Sequence, residues 1–148
     1  LKAHFPGCAV TTDMIVAFPG ETEEEFAKTL DFIHKCAFAQ MHIFPYSVRP
    51  GTPAAKMTQN PRAVKEERAR RATAVAAKMH EAYLNGCVGQ VYPVLFEQPK
   101  GQWFSGHAPN YMEVLARGGE ELHNEIKNVR ITGTDGQALF GEIMEEQE

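Results

Sequence analysis

TTDMIVAFPGETEEEF, Thr11 to Phe26, is the stretch whose reading decides the fold. Met14, Ile15, Val16, Ala17 and Phe18 form a short continuous apolar run, the pattern of a strand buried on both faces of a parallel sheet. Pro19 and Gly20 stop that strand, because proline has no amide to donate and glycine reaches backbone angles that other residues avoid. Thr22 and Glu25 then spell a capping box, each side chain satisfying the other residue's amide at a helix start. Glu21, Glu23 and Glu24 add negative charge at the positive end of the helix dipole. Strand, tight turn and capped helix make a βα unit, and ligands of such units sit past the carboxyl ends of the strands. A purely structural turn has the same spacing and remains the alternative.

Working outward, the helix runs from about Glu23 to Ala37, with Phe26, Leu30, Ile33 and Ala37 as its apolar stripe. MHIFPY, Met41 to Tyr46, reads as a second strand, so strand, helix and strand imply a right-handed parallel crossover. SVRPGTPAAKM, Ser47 to Met57, is a loop leaving the same end of the sheet as AFPGE. Two polar loops on one rim describe the mouth of a barrel or half-barrel. On this reading His42 is a buried, hydrogen-bonded histidine, Asp13 a structural acceptor and Tyr46 part of the core.

Asn60 and Pro61 predict the start of a long helix, asparagine as cap and proline at the first helical position. Gly86 is its expected stop. Arg62, Lys65, Arg68, Arg70, Arg71 and Lys78 stand against Glu66, Glu67 and Glu81, a charge-laced linker helix whose basic residues also read as an ordinary solvated face. After Gly86 the grammar changes to short β segments with turns, including Asp135 and Gly136 as a hairpin signal. About five short strands in roughly 60 residues suffice for a small closed barrel. The fold class is therefore an α/β partial parallel barrel, a linker helix and a small all-β barrel, divided at residues 1–58, 59–86 and 87–145.

The 148 residues carry a net charge of −4, with 43% hydrophobic and 23% charged content, the make-up of a globular protein. Such a chain buries roughly two-thirds of its unfolded surface. No apolar run approaches the roughly 20 residues that cross a bilayer, and no secretory signal is visible; the cysteines read as free thiols of a reducing cytoplasm. Cys8, Cys36 and Cys87 are odd in number and widely spaced, fitting neither a disulfide framework nor a metal cluster. The missing initial methionine and the opening just ahead of a strand that needs parallel neighbours suggest an incomplete polypeptide.

TTDMIVAFPGETEEEF followed by HIFPYSVRPGTPAAKM resembles the closing strands of the catalytic barrel in radical S-adenosylmethionine methylthiotransferases. From Gly86 onward, VLFE, NYMEV, KNVRIT and LFGE resemble the TRAM domain that ends those enzymes, a small OB-like, RNA-binding β-barrel. HIFPYS is most similar to the branch that thiomethylates threonylcarbamoyladenosine beside the tRNA anticodon. The resemblance implies the carboxyl-terminal part of a tRNA-modifying enzyme, with the missing amino-terminal part of the same polypeptide and the anticodon stem-loop as partners. It implies S-adenosylmethionine and two [4Fe–4S] clusters in the complete enzyme, the cluster ligands lying outside this chain. No metal-binding or catalytic residue is expected here, so the piece alone should be inactive. Two departures stand out. Ala17 occupies a place where the family usually has glycine, and Cys87 to Glu148 holds four basic residues against ten acidic ones, a poor electrostatic match to RNA.

The resemblance further implies that Phe18, Pro19, Gly20, Phe44, Tyr46 and Ser47 wall the adenosine end of S-adenosylmethionine. Arg49 is the candidate for the substrate's threonyl carboxylate, through a bidentate guanidinium, with an ordinary rim salt bridge as the other reading. For RNA the candidates are Arg62, Lys65 and Arg68 on the helix and Trp103, Asn110, Tyr111, Lys127 and Arg130 in the barrel. Lys127 and Arg130, three apart on a strand, face opposite sides. Rival readings are a non-catalytic RNA-binding module and a methylthiotransferase for isopentenyladenosine or for a ribosomal-protein aspartate.

Overall fold

Met14, Ile15 and Val16 of the apolar run lie in β1 (Thr11–Val16), while Ala17 and Phe18 fall past its end, in a computed structural model that describes residues 3–144. Residues 1, 2 and 145–148, which the ranges read from the sequence include in part, lie outside the described residues. Residues 10–80 make one compact unit; residues 81–144 with residues 3–9 make another.

In the first unit β1 pairs in parallel with β2 (Gln40–Pro45), Thr11 opposite Gln40 through Val16 opposite Pro45. Between them runs α1 (Glu23–Cys36), which opens on the expected capping box: the Thr22 hydroxyl accepts from the Glu25 amide at 3.2 Å and the Glu25 carboxylate from the Thr22 amide at 2.8 Å. Met14 and Val16 point into a core with Phe26, Ile33, Ala72 and Met79. The strand is not buried on both faces. Ile15 is 59% exposed and Phe44 51%, because helices cover one side of a two-stranded sheet. The same bare face carries Asp13 and His42, opposed in register and exposed, so His42 is not the buried residue expected. Ala37 leaves the apolar stripe: it is the exposed left-handed C-cap of α1, at φ 48°.

A 3-10 turn (Pro53–Lys56) leads to α2 (Arg62–Cys87). Asn60 does not spend its side chain on capping that helix; its amide donates to the Phe18 and Ala17 carbonyls at 2.8 and 3.3 Å. The Pro61 carbonyl instead accepts the first helical bond, from Lys65. Gly86 does not stop the helix, since Gly89, three residues on, takes the left-handed conformation at φ 86°.

The second unit is a closed barrel in the order β3 (Val91–Lys100), β4 (Trp103–His107), β5 (Glu113–Ala116), β7 (Leu139–Ile143) and β6 (Ile126–Thr134). Neighbours are antiparallel except β5 and β7, which run parallel. Val94, Phe96, Phe104, Val114, Val129, Ile131 and Leu139 fill it, alternating with outward residues as a small barrel requires. Asp135 and Gly136 form the β6–β7 turn, the Asp135 carboxylate accepting the Gln137 and Ala138 amides at 2.9 Å each. Those bonds, Ala138 foremost, hold its carboxyl below the usual carboxylate range. Among the described residues no helix is long and apolar enough to cross a membrane.

Candidate functional site

Phe18, Pro19, Gly20 and Glu21 close a tight turn past the carboxyl end of β1. The Glu21 amide donates to the Phe18 carbonyl at 2.9 Å and Gly20 has φ 87°, the arrangement of a type II turn with proline and glycine at its centre. Ala17, fully buried ahead of it, has φ 56°. A side chain is strained there and glycine is not, which gives a conformational reason for glycine at this place. The Glu21 carboxylate folds back to accept the Ala17 amide at 2.5 Å.

Arg68 locks that arrangement. Its Nη1 donates to the Glu21 carboxylate and carbonyl, both at 2.9 Å, and the side chains of the pair are 6% and 15% exposed. Arg68 Nε has no hydrogen bond among the described residues and lies 3.5 Å from the Glu23 carboxylate. A hydrogen bond from Arg71, with Arg68 nearby, draws the Glu23 carboxyl below its ordinary range. Arg68 is thus consumed inside the protein and is no free phosphate ligand.

Two of the rim candidates, Phe18 and Tyr46, are in contact. Phe18 and Tyr46 meet edge to face at 5.1 Å, and the Tyr46 amide donates to the Val16 carbonyl at 2.9 Å. Phe18 is 45% exposed, whereas the Tyr46 hydroxyl is buried without a hydrogen-bond partner among the described residues. Lys65 donates to the Tyr46 carbonyl at 3.1 Å and stands 5.2 Å over its ring. Phe44, on the bare face of β2, and Ser47, just after the strand, are exposed, and Arg49 is exposed with its carbonyl accepting from the Thr52 hydroxyl. An open aromatic edge beside an unsatisfied hydroxyl fits an adenine ring. Among the described residues no three His, Cys, Asp or Glu side chains gather where they could hold a metal ion.

Neither unit gathers its own RNA candidates into one patch. Arg62 is exposed and pairs with Glu66 at 2.6 Å, one turn along α2. Asn110 is turned inward, donating to the Tyr83 hydroxyl at 3.1 Å and accepting the Met112 amide at 3.2 Å. Its neighbour Tyr111 is 83% exposed at φ 63°. Trp103 starts β4 and Tyr111 follows its far end, so the two aromatics lie at opposite ends of that hairpin. Lys127 pairs with Glu125 at 3.5 Å on the same side of β6 as buried Val129, while Arg130 faces outward, as the spacing predicts. Sequence reasoning missed Arg117. Its guanidinium lies 4.9 Å over the Trp103 ring, a contact set by strand register and carried by no local motif.

No family model matches the chain. It is 41% identical over 137 residues to a protein of Bacillus subtilis named threonylcarbamoyladenosine tRNA methylthiotransferase MtaB, covering 88% of this chain and 30% of that protein. It is 38% identical over 149 residues to a tRNA-2-methylthio-N(6)-dimethylallyladenosine synthase of Campylobacter jejuni, covering 97% and 34%. A synthase of the same name from Fusobacterium nucleatum is 38% identical over 148 residues, with the same coverage. The chain spans about a third of the length of these relatives. Similarity of this degree, running through both the α/β unit and the β-barrel, makes the chain a member of the methylthiotransferase family.

Proposed function

We propose that this chain is the carboxyl-terminal part of a cytoplasmic radical S-adenosylmethionine enzyme that adds a methylthio group to threonylcarbamoyladenosine next to the tRNA anticodon. The observation that carries the reading is the 41% identity, over 88% of the chain, to a relative named for that nucleoside. S-adenosylmethionine and two [4Fe–4S] clusters, whose ligands lie outside this chain, supply the radical chemistry in the complete enzyme. Residues 1–58 close one side of the catalytic barrel, 59–86 form the linker helix, and 87–145 form the TRAM domain.

Within that frame the chain supplies walls and contacts. Phe18, Pro19, Gly20, Phe44, Tyr46 and Ser47 bound the adenosine end of the cofactor, with Phe18 and Tyr46 as the paired aromatic surface. Arg49, exposed and without an ion pair among the described residues, receives the threonyl carboxylate. Arg62, Lys65, Trp103, Tyr111, Lys127 and Arg130 meet the anticodon stem-loop at separate points. The isolated chain is inactive because it brings no cluster cysteines.

The relatives named for dimethylallyladenosine cover 97% of the chain, and they support a second reading with that nucleoside as substrate. Both are tested together. The complete polypeptide is reconstituted with iron and sulfide and supplied with tRNA carrying both precursor nucleosides, and the digested nucleosides are weighed by mass spectrometry. A methylthio increment on threonylcarbamoyladenosine is the expected result. The increment on dimethylallyladenosine installs the second reading, and none on either removes both.

A further inference from the structure

We propose that the barrel carries a nucleobase subsite at the Trp103–Arg117 pair, taking an unpaired base of single-stranded RNA on the guanidinium plane of Arg117. This rests on the tRNA reading above and adds the place and mode of contact. The register builds the site. Phe104 faces Ala116 across β4 and β5, so Trp103, one residue before, and Arg117, one residue after, arrive side by side at the open end of the hairpin. β7 runs beside β5 with Phe140 opposite Leu115, and Phe140 meets Trp103 edge to face at 5.3 Å. The Arg117 guanidinium lies 4.9 Å over the Trp103 ring. Around them is a groove of about 310 Å³, also lined by Thr132, Glu142 and Ile143.

Charge argues for stacking here rather than for a phosphate clamp. The segment from Cys87 onward holds four basic residues against ten acidic ones, and two of the four are tied down, Lys100 by Glu113 at 2.7 Å and Lys127 by Glu125 at 3.5 Å. Arg117 is exposed, makes no ion pair among the described residues, and has its guanidinium carbon 4.9 Å from the centre of the Trp103 ring. A guanidinium plane backed by an aromatic ring is a stacking platform for any unstacked base. The Glu142 carboxylate in the same groove, an acceptor only, repels phosphate and suits a base edge that presents amino or imino donors.

The test uses the complete polypeptide, an RNA stem-loop with an unpaired loop, and a fully paired RNA of equal phosphate count. Arg117→Ala and Arg117→Lys are compared with the parent. Lysine keeps the charge and loses the plane, so both variants should bind the stem-loop about tenfold more weakly, with duplex binding nearly unchanged. Because Arg117 is exposed, the thermal midpoint should hold in both. Parent-like affinity in Arg117→Lys, or equal losses on loop and duplex, would show a charge contact and overturn the subsite. Unchanged stem-loop binding in both variants overturns it while leaving the tRNA reading intact. A parent protein that binds neither RNA takes down both.

Discussion

The two units solve the same problem in different ways. The barrel satisfies its strands with one another in a closed ring and fills its own interior, with Val94, Phe96, Val114, Val129 and Leu139 fully buried. Its ion pairs are surface ones, such as Lys100 with Glu113 at 55% and 28% side-chain exposure. The α/β unit has a two-stranded sheet, bare on the face that carries Ile15 and Phe44. It holds its key turn with a nearly dry Arg68–Glu21 pair. Closure makes the barrel independent of further strands, whereas an open sheet with free edges keeps unsatisfied pairing groups. The α/β unit therefore adds a buried polar contact to its apolar core, where the barrel relies on packing.

The largest expected effect probes the packing side. Phe104 is 1% exposed and meets Phe96 at 6.3 Å, edge to face. Phe104→Ala should cost about 3–5 kcal/mol through lost transfer and a residual cavity. Amide hydrogen exchange should lose protection in β3 to β7 and keep it in α1, β1 and β2. Equal loss in both units would break the contrast.

A somewhat smaller effect probes the polar side. Arg68→Met leaves the Glu21 carboxylate with the Ala17 amide but without its cation, which should cost about 3 kcal/mol in a site this dry. Lys100→Met removes a half-exposed partner and should cost under about 1 kcal/mol. Denaturant unfolding of both variants gives the ratio, and comparable costs would show that burial does not distinguish the units.

What the sequence discloses is mostly what is local. The capping box at Thr22, the Pro19–Gly20 turn and the Asp135–Gly136 turn each rest on residues within four positions of one another, and each formed as read. Readings that needed long-range knowledge failed for a physical reason. Arg68 lies 47 residues from Glu21, so a helix wheel shows it only as one more surface cation. Asn60 carries a good cap side chain, yet the Phe18 carbonyl, 42 residues away, takes it. Burial of His42 depends on how many strands flank β2, which periodicity does not encode. Gly86 permits a helix end without demanding one. The Arg117–Trp103 contact exists only once the β4–β5 register is known.

The smallest effect concerns the strain at the head of the candidate cofactor rim. Ala17 is fully buried at φ 56°, where a Cβ is penalised by roughly 1–2 kcal/mol relative to glycine. Glycine has its own cost, losing about 0.5–1 kcal/mol more backbone entropy on ordering. The difference leaves Ala17→Gly stabilising by about 0.5 kcal/mol, read as a small rise in the unfolding midpoint. The Ala17 amide and carbonyl are both engaged, by Glu21 and Asn60, so backbone contacts hold the angle with or without the methyl. The variant relieves strain without moving the turn. A destabilised Ala17→Gly would mean that the methyl packs better than its backbone angle costs, and the rim would then be held by packing, as the barrel is.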